Sequence, residues 1–248
     1  MRVVDLNCDL GEGCGSDAAL MPLISSANIA CGYHAGDSDT MKRTVDLAME
    51  HNVAIGAHPG YDDRENFGRT PRNLSPSEIY PLVTGQVAAL AQIAKIAGGH
   101  ISHVKPHGAL YNQSARSPVI AAAIATAVLD FDPLIILFGL AGSQSILEAE
   151  KCGLRTASEV FADRTYQNDG SLTPRERSDA MITDENVAVE QVLDMLKYGL
   201  VRSTDAVMVP IVADTVCIHG DGAQAVEFAL LIRNQLAENG FRIRRIMP

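Results

Sequence analysis

Six short apolar runs in this chain end in histidine or carboxylate residues, and stretches of helical periodicity separate them. The runs are VVDLNCD (3–9), NIACGYH (28–34), VAIGAH (53–58), ISHVKPH (101–107), ASEVFAD (157–163) and TVCIHGD (215–221). A short apolar run followed by loop and helix is the signature of a strand in a helix-covered parallel sheet. Residues 134–138 add another, giving about seven strands. Period two sorts each strand into faces. Asp5, Asn7 and Asp9 share one face of the first strand, and Asn28, Ala30, Gly32 and His34 share one face of the second. Gly56 with His58, His103 with Lys105 and His107, Glu159 with Phe161 and Asp163, and Cys217 with His219 and Asp221 follow the same rule. With helices covering the other side, this small and polar face has to look into a closed barrel. Burying Asp5 and Asp9 uncompensated would be costly, so Lys105, Arg164, a protonated histidine or a metal ion has to balance them.

Helices fit between the runs. The first spans about 38–51, with Ser38 as N-cap and Met41, Val45, Ala48 and Met49 as its apolar face. The second begins at Ser75-Pro76, where Glu78 completes a capping box, and ends at Gly98-Gly99. Pro81 falls inside it and should kink or delay its first turn. Further helices are predicted at 117–129, 142–151, 185–198 and 222–238. Residues 60–74 and 163–183 are long, polar and helix-poor, and loops of that length usually carry function. No linker or low-complexity segment divides the 248 residues, which read as a single α/β barrel domain over 1–248.

Composition narrows the partners. A net charge of −10 argues against nucleic acid or an anionic membrane, although local charge can still favour an anionic substrate. No uncharged stretch without proline reaches the roughly 20 residues that a membrane helix needs. Asp5 and Asp9 stand where a signal peptide would need its apolar core. The five cysteines include no C-x-x-C pair and several lie in apolar runs, a pattern that suits a reducing cytoplasm. Gly11, Gly13 and Gly15 come near a dinucleotide fingerprint, but Ser16 stands where it needs glycine, and no G-x-x-x-x-G-K-[ST] loop occurs.

Ligands of parallel α/β proteins bind at the carboxyl ends of the strands, where these histidines and acids collect. Asp5, Asn7, Asp9 and Glu12 read as functional because burying acids three deep on one face has no packing purpose. His34 and His58 follow small-residue strand ends with room to reach a ligand, whereas His103 lies deeper and reads as a core hydrogen-bonder. Lys105 and His107 flank Pro106 and aim the same way. Lys105 can offer a fixed positive charge to a carboxylate or phosphoryl oxygen, or pair with Asp5 or Asp9. Asp163 and Arg164 open the second long loop as catalytic or substrate-binding groups, while Thr173, Pro174 and Arg175 cap and pack. Asp221, after His219, serves equally well as a site residue or as a helix N-cap. No nucleophile elbow is present.

Taken together, DLNCDLGEG (5–13), NIACGYHAGD (28–37), IGAHPGYDD with FGR (55–63, 67–69), VKPHGALYN (104–112), EVFADRTYQNDGSLTPR (159–175) and CIHGD (217–221) resemble the LamB/YcsF family. The resemblance implies a distorted seven-stranded (β/α) barrel, similar to metal-dependent polysaccharide deacetylases. It also implies opening of 5-oxo-L-proline to L-glutamate with ATP hydrolysis, in a complex with B and C subunits. On that reading Asp9, His34, His58, Lys105 and His107 are catalytic, and Asp5, Asn7, Glu12, Asp163, Arg164, His219 and Asp221 bind substrate. ATP with Mg²⁺ is then a co-substrate held at least in part by the partners. Two rival readings stand beside it. One is a free-standing metal amidohydrolase holding a divalent ion on Asp9, His34 and His58; the other is a non-catalytic subunit that binds the lactam.

Overall fold

The run-and-helix alternation folds as a barrel. The computed structural model describes residues 2–220 and 224–247. Its first half comprises β1 (Arg2–Leu10), α1 (Asp17–Leu20), β2 (Ser26–Ala30), α2 (Ser38–Glu50), β3 (Ala54–His58), α3 (Pro76–Ile96), β4 (Ile101–Val104), α4 (Gly108–Arg116) and α5 (Pro118–Phe131). Its second half comprises β5 (Ile136–Leu140), α6 (Gln144–Lys151), β6 (Thr156–Phe161), α7 (Glu185–Tyr198), β7 (Leu200–Arg202), β8 (Met208–Pro210), β9 (Thr215–Ile218), α8 (Ala225–Glu238) and β10 (Phe241–Ile243). Among the described residues, seven parallel strands run β1-β2-β3-β4-β5-β6-β9, and β9 pairs back onto β1 to close the ring. This is the expected seven-stranded architecture.

β1 is the longest of these strands and is shared. Its start, Arg2–Val4, pairs with β10, whereas Asp5–Cys8 pairs with β9 and Asn7–Leu10 with β2. Its outward side chains Leu6, Cys8 and Leu10 are buried in the apolar layer under the helices. The inward face is polar and forms three tiers. In the lowest, Asp5 accepts hydrogen bonds from Ser25, Ser26 and Thr215 at 2.5–2.7 Å. In the middle tier Asn7 donates to Glu159 (3.0 Å) and Thr215 (2.7 Å), and accepts from Asn28 (2.7 Å). His103 completes this tier, with Nε2 2.8 Å from Asn28 Oδ1 and its ring stacked on Phe138 at 4.2 Å. That position is open because residue 56 is glycine: a Cβ there would lie 2.0 Å from His103 Nε2. The top tier, Asp9, Lys105 and Cys217, faces the cavity end of the barrel. His103 is the core hydrogen-bonder its depth in the strand predicts.

The structure corrects several boundaries. The cap of α2 is Asp37, whose carboxylate accepts from the Thr40 backbone N–H, and Ser38 is the first helical residue. α3 opens at Pro76 with the expected Ser75–Glu78 box and runs through Pro81 without interruption. By length and composition α3 could cross a bilayer, but Ile79, Val83, Val87 and Leu90 are buried in the core cluster. The fifth strand sits two residues later than 134–138. α4 and the β7–β8 hairpin occupy stretches for which the sequence predicts no element. Residues 221–223, including Asp221 and the expected start of the last helix, lie outside the described residues.

Candidate active site

Strand ends and the loops just past them supply the site. Beyond Val104 the ladder continues, as Lys105 N–H donates to Ala57 and His107 N–H to Pro59, at 2.9 and 2.8 Å. That extended backbone keeps Lys105 and His107 on one side, with Pro106 turned away. His34 lies four residues past β2, and His58 is the last residue of β3. The loop 60–74 folds over them. Phe67 adopts a left-handed conformation (φ 56°), a strain that non-glycine residues tolerate where function demands it. Its carbonyl oxygen meets His107 Nε2 at 2.8 Å. A Cβ on the following Gly68 would come within 2.7 Å of the His34 Cβ, so glycine is required for the loop to approach so closely.

A cavity of about 700 Å³ opens over this end of the barrel. Its floor carries Asp9, Glu12, His58, Lys105 and His107, and its wall carries Tyr111, Phe161, His219 and four arginines, 69, 116, 164 and 175. Lys105 is the electrostatic hub. Its Nζ is 2.8 Å from Asp9 Oδ1, 2.9 Å from Glu159 Oε1 and 3.1 Å from Cys217 Sγ. Burial alone would lower this ammonium, but Asp9, Cys217 and Glu159 reverse the effect and hold its pKa well above the ordinary lysine value. Burial would likewise raise Asp9; His58 and Lys105 override it and keep the carboxyl well below its usual range.

The imidazoles are set by their neighbours. His58 Nδ1 is 2.7 Å from the Lys105 carbonyl oxygen, and His107 Nε2 faces the Phe67 carbonyl. A carbonyl accepts and cannot donate, so both of these nitrogens carry hydrogen. In the neutral form of each ring the lone pair then falls on His58 Nε2 and on His107 Nδ1, and these two atoms face each other at 3.0 Å. His34 stacks on His107 with ring centroids 3.8 Å apart, and neither of its ring nitrogens makes a hydrogen bond. Burial pushes His34 down to about 3 and His107 still lower. His219 is tuned the other way. Burial would lower it, but Asp163 on its Nδ1 (2.8 Å) raises it above the ordinary value. Arg175 approaches its Nε2 at 3.2 Å.

A model described as the LamB/YcsF family matches residues 4–248. The chain belongs to this family. Among its relatives in the family, the 5-oxoprolinase A subunit of Geobacillus kaustophilus (strain HTA426) is 53% identical, over 98% of this chain and 97% of that protein. The 5-oxoprolinase A subunit of Shouchella clausii (strain KSM-K16) is 54% identical, over 98% of each. The crystal structure of a lactam utilization protein from Thermus thermophilus superposes with a TM-score of 0.92 at 42% identity, covering 99% of this chain and 100% of that one. A family 4 carbohydrate esterase from Streptomyces lividans shares the fold at a TM-score of 0.50 and 13% identity, over 100% of this chain and 94% of that one.

Within this LamB/YcsF barrel the anticipated residues separate into groups. Asp9, Glu12, His58, Lys105, His107, Arg164 and His219 line one cavity. His34 stands immediately behind, with Nε2 3.4 Å from Glu12 Oε1. Asp163 stands behind His219 and orients it. Asp5 and Asn7 do not reach the cavity. They are consumed in the tiers beneath it, where burial raises the Asp5 pKa against its three hydroxyl partners. Of the expected metal set, Asp9 gives Oδ1 to Lys105 and Asn28 while its Oδ2 lies 3.4 Å from His58 Nε2; the donor atoms of Glu12, His34, His58 and His107 all lie within 4.8 Å of one another. Glu159, which fixes Lys105, was visible in sequence only as a face-mate of Phe161. Thr173, Pro174 and Arg175, expected to cap and pack, line the cavity.

Proposed function

We propose that this chain opens 5-oxo-L-proline to L-glutamate as the hydrolytic subunit of an ATP-dependent complex with B and C subunits. What carries the proposal is one cavity that combines a buried imidazole–carboxylate cluster, a histidine whose pKa Asp163 raises and an arginine-rich wall. The names borne by the Geobacillus, Shouchella and Thermus relatives support the substrate class.

A five-membered lactam is resonance-stabilised and resists water. Phosphorylating its amide oxygen makes the ring carbon electrophilic. Water then adds to that carbon, its proton passing to the His58–His107–Glu12 group. If phosphate left the adduct first, the lactam would simply re-form; the ring nitrogen has to leave, and it must be protonated to do so. His219 Nε2 supplies that proton once Arg175 turns from it to the phosphoryl group. The γ-glutamyl phosphate so formed takes a second water to give glutamate and phosphate. Acid and base of such different pKa values in one site match this division of labour. Lys105, Arg69, Arg164 and Arg175 offset the charge of phosphate and developing oxyanion. Asp9, held ionised by His58 and Lys105, is too weak a base for the water and is assigned to fixing Lys105.

ATP with Mg²⁺ is assigned at least in part to the partner subunits, a reading that fits a sequence with no phosphate-loop pattern. The cytoplasm, which supplies ATP and keeps thiols reduced, suits the five free cysteines. The test is reconstitution. Each component by itself and the mixture are given 5-oxoproline and ATP, and glutamate and phosphate are measured. Turnover by the isolated chain as fast as by the mixture refutes the division of labour.

A further inference from the structure

We infer that Glu12, His58 and His107, with His34 as a fourth donor, form a binding site for one borderline first-row divalent cation such as zinc. Three independent observations lead there. The first is the pair of lone pairs facing each other at 3.0 Å, with their tautomers locked from behind by the Lys105 and Phe67 carbonyls. Two neutral imidazoles repel in that arrangement, and either a shared proton or a cation between or beside them removes the repulsion. A backbone carbonyl on the far ring nitrogen is also how metal-bound histidines are commonly oriented.

The second observation is spacing. Donors about 2.0–2.1 Å from a tetrahedral ion lie roughly 3.3 Å from each other. Glu12 Oε1 is 3.4 Å from His34 Nε2, 3.4 Å from His107 Nδ1 and 3.9 Å from His58 Nε2, and the two lone-pair nitrogens are 3.0 Å apart. The shell is already near the size of a bound ion. His34 is parallel to His107, so its ring has to turn for its own lone pair to join; it is 1% exposed, and both of its nitrogens lack hydrogen bonds. Gly60 leaves the space for it, since a Cβ there would meet His34 Nδ1 at 2.7 Å.

The third is the donor set. One carboxylate and three imidazoles offer ligand atoms within 4.8 Å of one another, and a mixed imidazole–carboxylate shell selects zinc and its neighbours over magnesium or calcium. With these donors engaged, such an ion would take over from them in activating the water, by supplying a Lewis acid and a fixed positive charge on the cavity floor.

The measurement is binding, so its outcome is separate from whether the lactam is the substrate. Chelator-treated protein at pH 7.5 is titrated calorimetrically with Zn²⁺, and Co²⁺ is added in parallel to read the visible absorption of a four-coordinate ion. About one equivalent of either ion is expected to bind. Affinity should fall at least about 100-fold in His107→Ala and in the conservative Glu12→Gln, with a smaller loss in His34→Ala. Circular dichroism verifies folding, and Glu12→Gln keeps the test sound if His107→Ala unfolds. His219→Gln should bind as the wild type does, because His219 belongs to the separate Asp9–Cys217–His219 group. Absence of stoichiometric binding would overturn the inference and leave a shared proton between His58 and His107. So would binding that survives both Glu12→Gln and His107→Ala, or that disappears in His219→Gln.

Discussion

Replacing Lys105 by methionine keeps the length of the side chain and removes its charge, which leaves Asp9 and Glu159 buried without their ammonium. Breaking a buried pair from one side costs about 3–5 kcal/mol. Unfolding entropy of about 2.1 cal/mol/K per residue gives roughly 0.5 kcal/mol/K for a chain of 248 residues, so the melting temperature should fall by about 6–10 °C. The pH dependence is more diagnostic than the size. In the wild type Asp9 is held well below the usual carboxylate range, so its contribution is present above about pH 3.9 and is lost as pH falls through the lower folded value. In Lys105→Met, burial is opposed by one charge fewer, and the carboxyls take up protons more readily in the folded state. The deficit should therefore be largest at pH 7.5 and shrink by at least half on approaching pH 5. Thermal melts followed by circular dichroism from pH 5 to 8 measure it. A loss under about 2 °C at pH 7.5, or one that stays constant across the range, would refute the assignment of Lys105 as the compensating charge.

Asp9→Asn should reduce glutamate formation by the reconstituted complex by at least about 100-fold while leaving the far-ultraviolet spectrum unchanged; wild-type rates would confine Asp9 to structure. Arg175→Gln should raise the His219 pKa further, because the guanidinium opposes charge on that ring. The stability that His219 gains from Asp163 is fully present below about pH 6.5 and is lost as pH rises through its raised folded value, so the variant extends that stability to higher pH. Proton NMR of the His219 ring reads this directly, and an unchanged or lower pKa contradicts it. Gly56→Ala should cost about 3 kcal/mol, since its Cβ would lie 2.0 Å from His103 Nε2 and the ring would have to leave Asn28. A melting temperature within about 2 °C of the wild type would show that the barrel interior yields more easily than its packing implies.

The barrel was legible in sequence because parallel strands leave runs whose faces separate at period two. The same rule placed Asp9, His58, Lys105 and His107 together. It failed for Asp5 and Asn7, because period two reports which face a residue occupies and not how deep it lies; both are spent under the cavity on Ser, Thr and Asn partners. Glu12 and His34 were read as site residues, but their mutual approach runs through loops whose path depends on glycines packed against side chains distant in sequence, which spacing does not report. Arg175 was read as packing because its contact is a histidine 44 residues away. α4 was missed because it follows the His107 strand end at once, starting at Gly108 with no side-chain cap to mark its beginning.

The split pairing of β1 bears on how the chain is made. This strand leaves the ribosome well before β9 and β10, to which it hydrogen-bonds. Through most of synthesis the barrel is an open, curved sheet with β1 at its edge. Such an edge invites pairing with other chains, and natural proteins protect edges with inward-pointing charges. β1 carries Asp5, Asn7 and Asp9 on its inward face. The polar face that later lies beneath the cavity is thus of the kind that protects an unfinished sheet edge, and replacing Asp5 or Asn7 by apolar residues should lower soluble yield more than it lowers the stability of the finished barrel.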